Sequence, residues 1–126
     1  MSSGGLMSSY LRVLLVEDDP LVARALVRLL KRRAEVTVAT SVAEAKIALV
    51  NSAGRFDCAI TDFNIGEGTA DEVPWPEGLP LILMSGDFMT ASASQTATRA
   101  VYVSAKPLDI AEMLRAVEGS RRQPDD

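Results

Sequence analysis

The chain has 126 residues, 48% of them hydrophobic and 24% charged, which is typical of one soluble domain. Its formal net charge of −4 argues against non-specific binding to nucleic acid or to an anionic membrane. The absence of histidine and the single cysteine exclude histidine-based catalysis, histidine-ligated zinc, a phosphohistidine donor role and internal disulfides. We therefore expect a cytoplasmic protein from a reducing environment.

The two ends of the chain differ in composition from its middle. Residues 1–9 are rich in serine and glycine, lack the basic and apolar regions of a signal peptide, and are predicted to form a flexible leader. Residues 120–126 are polar and are predicted to be a flexible tail. The domain is expected to span residues 10–119, and no apolar run approaches the ~20 residues that a membrane-spanning helix needs.

Short strands alternate with helices along the domain. The first strand is almost continuously apolar, as in a parallel strand covered on both faces. Asp19 followed by Pro20 predicts the start of a helix, and Ser41 with Glu44 three residues later has the spacing of a capping box. The predicted strands are residues 11–16, 36–39, 56–61, 79–84 and 100–104, and the predicted helices are residues 20–33, 41–50, 87–98 and 108–118.

The segment 63–78 lacks the pattern of a regular helix. It contains three glycines and two prolines, so a third helix is expected to be degenerate, with one turn at most after Thr69. The serine- and threonine-rich residues 87–98 predict a helix that is short or mobile. Trp75, between two prolines, and Cys58, in the third strand, are predicted to be core residues.

Five strands that are each followed by a helical segment predict parallel pairing through right-handed crossovers. The expected fold class is α/β, an open, doubly wound sheet with helices on both faces. Ligands of such sheets bind at the carboxyl ends of the strands. The candidate functional residues should therefore follow the strands.

Polar side chains stand at four of these strand ends: Glu17 and Asp18, then Asp62, Ser85 and Lys106. Each could singly be a helix cap, a turn residue or a solvated charge, but the combination is unusual. Three carboxylates in one cleft repel each other unless a cation lies among them, and oxygen ligands favour Mg²⁺ or Mn²⁺ over zinc. An aspartate beside such a metal is a plausible nucleophile for a phosphoryl group.

Four segments, VEDDP (16–20), AITDFNIG (59–66), LILMSGD (81–87) and VSAKP (103–107), resemble the receiver domains of two-component response regulators. The resemblance spans about residues 10–119, nearly the whole chain between the predicted leader and tail. It implies a flavodoxin-like sheet with strand order 2-1-3-4-5. It also implies a signalling phosphoacceptor that promotes only its own phosphorylation and dephosphorylation, rather than an enzyme acting on other substrates.

The resemblance implies a role for each site residue. Asp62 would be the phosphoacceptor, Ser85 the switch hydroxyl, and Lys106 the partner of the acceptor carboxylate and later of the phosphoryl group. The metal would be held by Asp62, by Asp18 directly, by Glu17 mainly through water, and by the backbone carbonyl of Asn64. Gly86 would leave room for the phosphoryl group, and the Lys106–Pro107 bond is often cis in this family.

The partners that the resemblance implies are proteins of the same signalling system. The donor would be a histidine kinase or a histidine phosphotransfer domain. A downstream effector protein and a homodimer are further partners that the family allows. Direct contact with nucleic acid or with a membrane is not expected.

Three features depart from the family pattern. Val103 occupies the position, three residues before the lysine, where a tyrosine or phenylalanine usually reports phosphorylation, and Tyr102 is predicted to face the opposite side of the strand. Residues 65–66 replace the common Met-Pro, and the segment between acceptor and serine is shorter than usual. No output domain follows residue 118, so we expect a stand-alone receiver or one derived from a larger protein such as a hybrid kinase.

Two other functions fit part of the pattern. A phosphorylation-independent pseudo-receiver would keep the fold as a binding module, which the missing aromatic and the eroded segment 63–78 favour. A haloacid-dehalogenase-type phosphatase also uses an aspartate nucleophile, a hydroxyl, a lysine and an acidic pair, but its first strand carries the nucleophile, and here Asn64 replaces the second aspartate of its motif. Glycine-rich sequences that bind nucleotide phosphates are absent.

Overall fold

The structure is a computed structural model that describes residues 11–52 and 55–121. The predicted leader, residues 1–9, and residues 122–126 of the predicted tail lie outside this range. The strands are β1 (Leu11–Val16), β2 (Ala34–Ala39), β3 (Cys58–Asp62), β4 (Asn64–Ile65), β5 (Gly68–Thr69), β6 (Leu81–Ser85) and β7 (Tyr102–Ala105). The helices are α1 (Pro20–Leu30), α2 (Val42–Ser52), α3 (Phe88–Ser92), α4 (Gln95–Arg99) and α5 (Ile110–Arg121), with a 3₁₀ turn at Ala70–Glu72.

A five-stranded parallel sheet has the order β2-β1-β3-β6-β7, which confirms the predicted order of the five main strands. The register pairs Val16 with Thr61, Asp62 with Met84, and Ser85 with Ala105. The carboxyl ends of these strands therefore lie at one edge of the sheet, where the candidate site was predicted.

Two apolar clusters cover the two faces of the sheet. In β1, Leu14 and Val16 belong to one cluster, and Val13 and Leu15 belong to the other. All four side chains are fully buried, which explains why the sequence of β1 is apolar rather than alternating. The first cluster is covered mainly by α2 and residues 63–79. The second is covered by α1 and α5.

Several predictions about single core residues are confirmed. Cys58 is fully buried in the cluster beneath α1 and α5, and Tyr102 and Val103 pack against opposite clusters. Trp75 is half-buried against the cluster beneath α2, and its indole Nε1 donates to the carbonyl of Ala70 at 3.0 Å. The Lys106–Pro107 peptide bond is cis.

The segment 63–78 is more ordered than its composition predicts. β4 and β5 pair antiparallel and form a short hairpin, a second sheet that the sequence patterns did not predict. The 3₁₀ turn takes the place of a third helix. Gly66 has a φ of +59°, which a non-glycine residue rarely adopts. At Gly68 the packing is tight, since a Cβ atom would lie 3.0 Å from the side chains of both Glu72 and Val42 and would require them to shift.

Side-chain caps explain where the helices begin. Asp19 accepts a hydrogen bond from the backbone of Leu21 at 2.9 Å, as predicted for the start of α1. The predicted helix 87–98 is two short helices, because Asp87 caps α3 and Ser94 caps α4. The last helix begins at Ile110 rather than Leu108. Among the described residues, no helix has the length and apolar character needed to cross a bilayer.

The cap of α1 gives a stability prediction. Asp19→Ala removes the acceptor for the backbone of Leu21 and should lower the free energy of unfolding by about 1 kcal/mol. Asp19→Ser retains an acceptor oxygen and should cost much less. Urea unfolding followed by Trp75 fluorescence measures both, and equal losses in the two variants would contradict the capping role.

Candidate functional site

The site is assembled from residues at or just after the ends of four strands. Glu17 follows β1 and is fully buried, Asp62 ends β3 with 7% of its surface exposed, and Ser85 ends β6 with 1% exposed. Lys106 follows β7, and its backbone donates to the carbonyl of Ser85 at 2.9 Å. The parallel register therefore brings together side chains that are far apart in the sequence.

The ammonium group of Lys106 bridges two carboxylates. Its Nζ lies 3.0 Å from Oε1 of Glu17 and 2.9 Å from Oδ2 of Asp62, and donates a hydrogen bond to each. The second oxygen of Glu17 accepts from the backbone N–H of Asp19 at 3.0 Å. Both oxygens of the buried Glu17 carboxylate thus have a donor, as a buried charge requires.

The pKa values of Glu17 and Lys106 are both raised, but for different reasons. Burial raises the pKa of Glu17 above its ordinary value, and the negative charge of Asp62 adds to the rise, while the Asp19 N–H and Lys106 oppose it. Burial lowers the pKa of Lys106, but its hydrogen bonds to Asp62 and Glu17 outweigh that effect, so the pKa is raised. The lysine is therefore held in its charged form.

Glu17, Asp18 and Asp62 form an acidic cluster in which one carboxylate oxygen from each lies within 4.8 Å of the others. Asp18 is the exposed member, and its Oδ2 accepts from the backbone N–H of Gly66 at 2.9 Å. Three carboxylates beside one ammonium group leave two net negative charges. This charge and the all-oxygen donor set fit a divalent cation such as Mg²⁺.

Ser85 and Asn64 are the predicted site residues that do not belong to the acidic cluster or to the lysine bridge. The hydroxyl of Ser85 accepts from the backbone N–H of Asp87 at 2.9 Å and donates to its carbonyl at 3.1 Å, so it faces the start of α3. Asn64 lies in β4, two residues after Asp62, and its role as a backbone ligand stays a prediction. A Cβ atom at Gly86 would meet open space.

The sequence patterns did not predict the contacts that the segment 63–79 makes with Asp18 and with α4. The Gly66 N–H holds Asp18 from 48 positions away, and Asp71 accepts two hydrogen bonds from Thr96. Glycines at 66 and 68 were the available signal for a tight turn after Asp62. The contact of Asp71 had no signal, because an exposed aspartate in an irregular segment resembles an ordinary surface residue.

An apolar groove of about 450 Å³ lies beside the lysine. One wall is α1, where Leu21 and Leu29 are 71% and 61% exposed, and the other wall includes Lys106, Pro107 and Leu108. Exposed leucines in one stripe next to a polar site are typical of a surface that contacts a partner.

Solved structures of the same fold include several receiver domains. A response regulator receiver domain protein from Clostridium thermocellum matches with a TM-score of 0.78 over 90% of this chain and 95% of its own, at 15% identity. A receiver domain protein from Methanospirillum hungatei matches with a TM-score of 0.77 over 92% and 100%, at 18% identity. The receiver domain of a sensor histidine kinase from Pseudomonas aeruginosa, with a magnesium ion coordinated in its active-site cleft, matches at 0.67 over 87% and 96%, with 20% identity.

Comparison of the sequence with protein-family models and with curated proteins found no match. The structural matches show that this chain has the fold of response regulator receiver domains, which confirms the flavodoxin-like architecture expected from the sequence motifs. Receiver domains are signalling modules rather than classical enzymes. At these identities the likeness concerns the fold.

The bridging lysine gives a pH-dependent stability prediction. Lys106→Met removes the ammonium group that contacts two carboxylates. Breaking a buried ion pair costs about 3–5 kcal/mol. Because the lysine side chain is 26% exposed, we expect the free energy of unfolding at neutral pH to fall by about 3 kcal/mol. A carboxyl whose folded pKa is raised stabilises the fold below its ordinary pKa of 4.5 and loses that contribution as pH rises. Losing the ammonium raises the pKa of Glu17 further, so the cost should be smallest in acid.

Urea unfolding at several pH values between about 4 and about 7 measures this dependence. Lys46→Met, which removes an exposed lysine from α2, is the matched control and should show little change at any pH. A Lys106→Met destabilisation that is the same in acid and at neutral pH would contradict the proposed ion-pair origin.

Proposed function

We propose that this chain is a phosphoacceptor receiver of a two-component phosphorelay, in which Asp62 takes a phosphoryl group from a phosphohistidine. The observation that carries the proposal is the contact of Lys106 with Asp62 at 2.9 Å. One carboxylate oxygen each of Glu17 and Asp18 also lies within 4.8 Å of an oxygen of Asp62. An acceptor, a fixed cation and an acidic pair are the parts that phosphoryl transfer to a carboxylate needs.

The acceptor is prepared by its neighbours. Lys106 contacts Oδ2 of Asp62, so Oδ1 is the oxygen that we expect to form the new O–P bond. As that bond forms, the N–P bond of the donor phosphohistidine breaks, and its electron pair returns to the imidazole, which takes up a proton. Lys106 stays charged throughout and neutralises the negative charge that gathers on the phosphoryl oxygens.

The acidic cluster would hold Mg²⁺, with Asp18 and Asp62 as ligands, Glu17 acting mainly through water, and the backbone carbonyl of Asn64 completing the protein ligands. When bound, Mg²⁺ supplies positive charge to a phosphoryl oxygen. Mn²⁺ has the same preference for oxygen and would be accepted by the same residues.

Ser85 would respond after transfer. Its hydroxyl is bonded to the backbone of Asp87, which caps α3. Turning that hydroxyl toward a phosphoryl oxygen would break these two hydrogen bonds and release the start of α3. This exchange of partners would bias the surface built from α3, α4, β7 and α5 between two populations.

The donor partner would be a histidine kinase or a histidine phosphotransfer domain. The apolar groove between α1 and the segment 106–108 supports this, because it lies directly beside Lys106 and offers exposed leucines to a partner. An effector protein would bind the surface that changes after transfer, and a homodimer is a further arrangement. We place the protein in the cytoplasm on the basis of this role.

Phosphoryl uptake tests the proposal. After incubation with acetyl phosphate and Mg²⁺, the intact protein should gain the mass of one phosphoryl group, and the adduct should be labile to base. Asp62→Asn should abolish the gain because the nucleophilic oxygen is lost, and chelation of the metal should lower its rate by at least about tenfold.

The matched control is Asp57→Asn, which removes a carboxylate just before the other end of β3, where Asp57 accepts from the backbone of Arg12 at 2.8 Å. It should take up phosphate as the parent chain does. A folded parent chain that forms no adduct with acetyl phosphate or with a phosphohistidine donor would contradict the proposal. That result would favour the pseudo-receiver, whereas steady turnover of a phosphate ester would favour a phosphatase.

A further inference from the structure

Residues 63–79 link the acidic cluster to α4 through a path of hydrogen bonds. At one end, the N–H of Gly66 donates to Oδ2 of Asp18 at 2.9 Å. At the other end, Oδ1 of Asp71 accepts from Thr96 twice, at 2.8 Å from the backbone nitrogen and at 2.6 Å from Oγ1. One short segment therefore contacts both a member of the acidic cluster, through Gly66, and the start of α4, through Asp71.

The middle of this path is anchored in the core. Ile65, Ala70 and Val73 are buried, with 1%, 0% and 4% of their surfaces exposed, and the N–H of Ala70 donates to the carbonyl of Phe63 at 2.8 Å. Close-packed side chains of this kind transmit a displacement instead of absorbing it. The hairpin and the 3₁₀ turn should therefore move as one unit.

The contact at Thr96 is strong for its position. Thr96 is the second residue of α4 and is 2% exposed, and its N–H is among the first four amides of a helix, which have no partner within the helix. The partner of this N–H is a carboxylate oxygen of Asp71. Hydrogen bonds to a charged acceptor are roughly twice as strong as those between neutral groups. The start of α4 is thus fixed by a carboxylate from another segment, 25 positions away.

A second contact fastens the same segment to the end of α4. The guanidinium of Arg99 donates to the carbonyls of Trp75, Pro76 and Leu79 at 3.0 to 3.1 Å. Both ends of α4 are therefore tied to residues 63–79. α4 cannot shift along this surface without either carrying the segment with it or breaking the Asp71 contact.

We propose that Asp71 is a positioning residue that couples the acidic cluster to α4. The inference rests on the proposed function, because the event that drives it is the arrival of a phosphoryl group on Asp62. The added negative charge changes the forces on Asp18 and on the Gly66 N–H that holds it, and the buried middle of the path passes the displacement to Asp71 and α4. The route through Ser85 and Asp87 enters the same surface at α3, and the route through Asp71 adds a direct link from the acidic cluster to α4.

Hydrogen exchange read by mass spectrometry tests this coupling. We would compare residues 93–99 in the full chain before and after loading with acetyl phosphate and Mg²⁺, and record the intact mass of each sample. In the parent chain, loading should change the exchange of these amides by about fivefold or more, within the usual range of coupling between sites. In Asp71→Ala, the adduct should form to a similar extent while the response of residues 93–99 is clearly smaller than in the parent chain, because only the route through Ser85 remains.

Three further variants serve as controls. Glu67→Gln removes an exposed carboxylate next to Gly66 that takes part in none of the hydrogen bonds described above, and it should respond as the parent chain does. Thr96→Val removes only the hydroxyl bond to Asp71 and should weaken the response, and Thr96→Ser should restore it. The serine and valine variants separate a coupling role from a loss of folding in Asp71→Ala.

The possible results are distinct. Equal responses of residues 93–99 in the parent chain and in a loaded Asp71→Ala would overturn the coupling role and leave the proposed function standing. A loaded parent chain with no response at residues 93–99 would overturn it in the same way. A folded parent chain that forms no adduct would remove the proposed function, and the coupling that rests on it, together.

Discussion

The bridge from Lys106 to Glu17 and Asp62 is the interaction on which the site depends. A fully buried glutamate is costly unless its charge is compensated, and here one ammonium group and one backbone N–H occupy both of its oxygens. The same ammonium contacts the candidate acceptor. Because the three residues follow or end strands β1, β3 and β7, the register of the whole sheet is needed to bring them together.

The site contains more negative than positive charge, and this excess favours the binding of a cation. An evenly balanced ion pair would be a structural feature, whereas three carboxylates with one lysine form a site that gains from a cation. Asp18 is the exposed member and Glu17 the buried one, so a metal would enter from the side of Asp18. The hairpin after Asp62 holds Asp18, which makes the irregular segment part of the site rather than a connection.

The fold and the main site could be predicted because their signals are local. A continuous apolar run marks β1, Asp19-Pro20 marks the start of α1, and the polar residues at strand ends follow from the parallel topology. The hairpin could not be predicted, since strands of two residues have no period to detect. The contacts of Asp71 with Thr96 and of Arg99 with Trp75 join positions more than twenty residues apart, and only the tertiary fold determines them.

The most direct test of Asp62 as the acceptor is to locate the phosphoryl group chemically. Reduction of the loaded protein with borohydride converts an aspartyl phosphate to homoserine, which peptide mass spectrometry can assign to a position. We expect homoserine at position 62 and at no other carboxylate. Homoserine at position 18, or a phosphoryl group that survives reduction on a hydroxyl side chain, would contradict it.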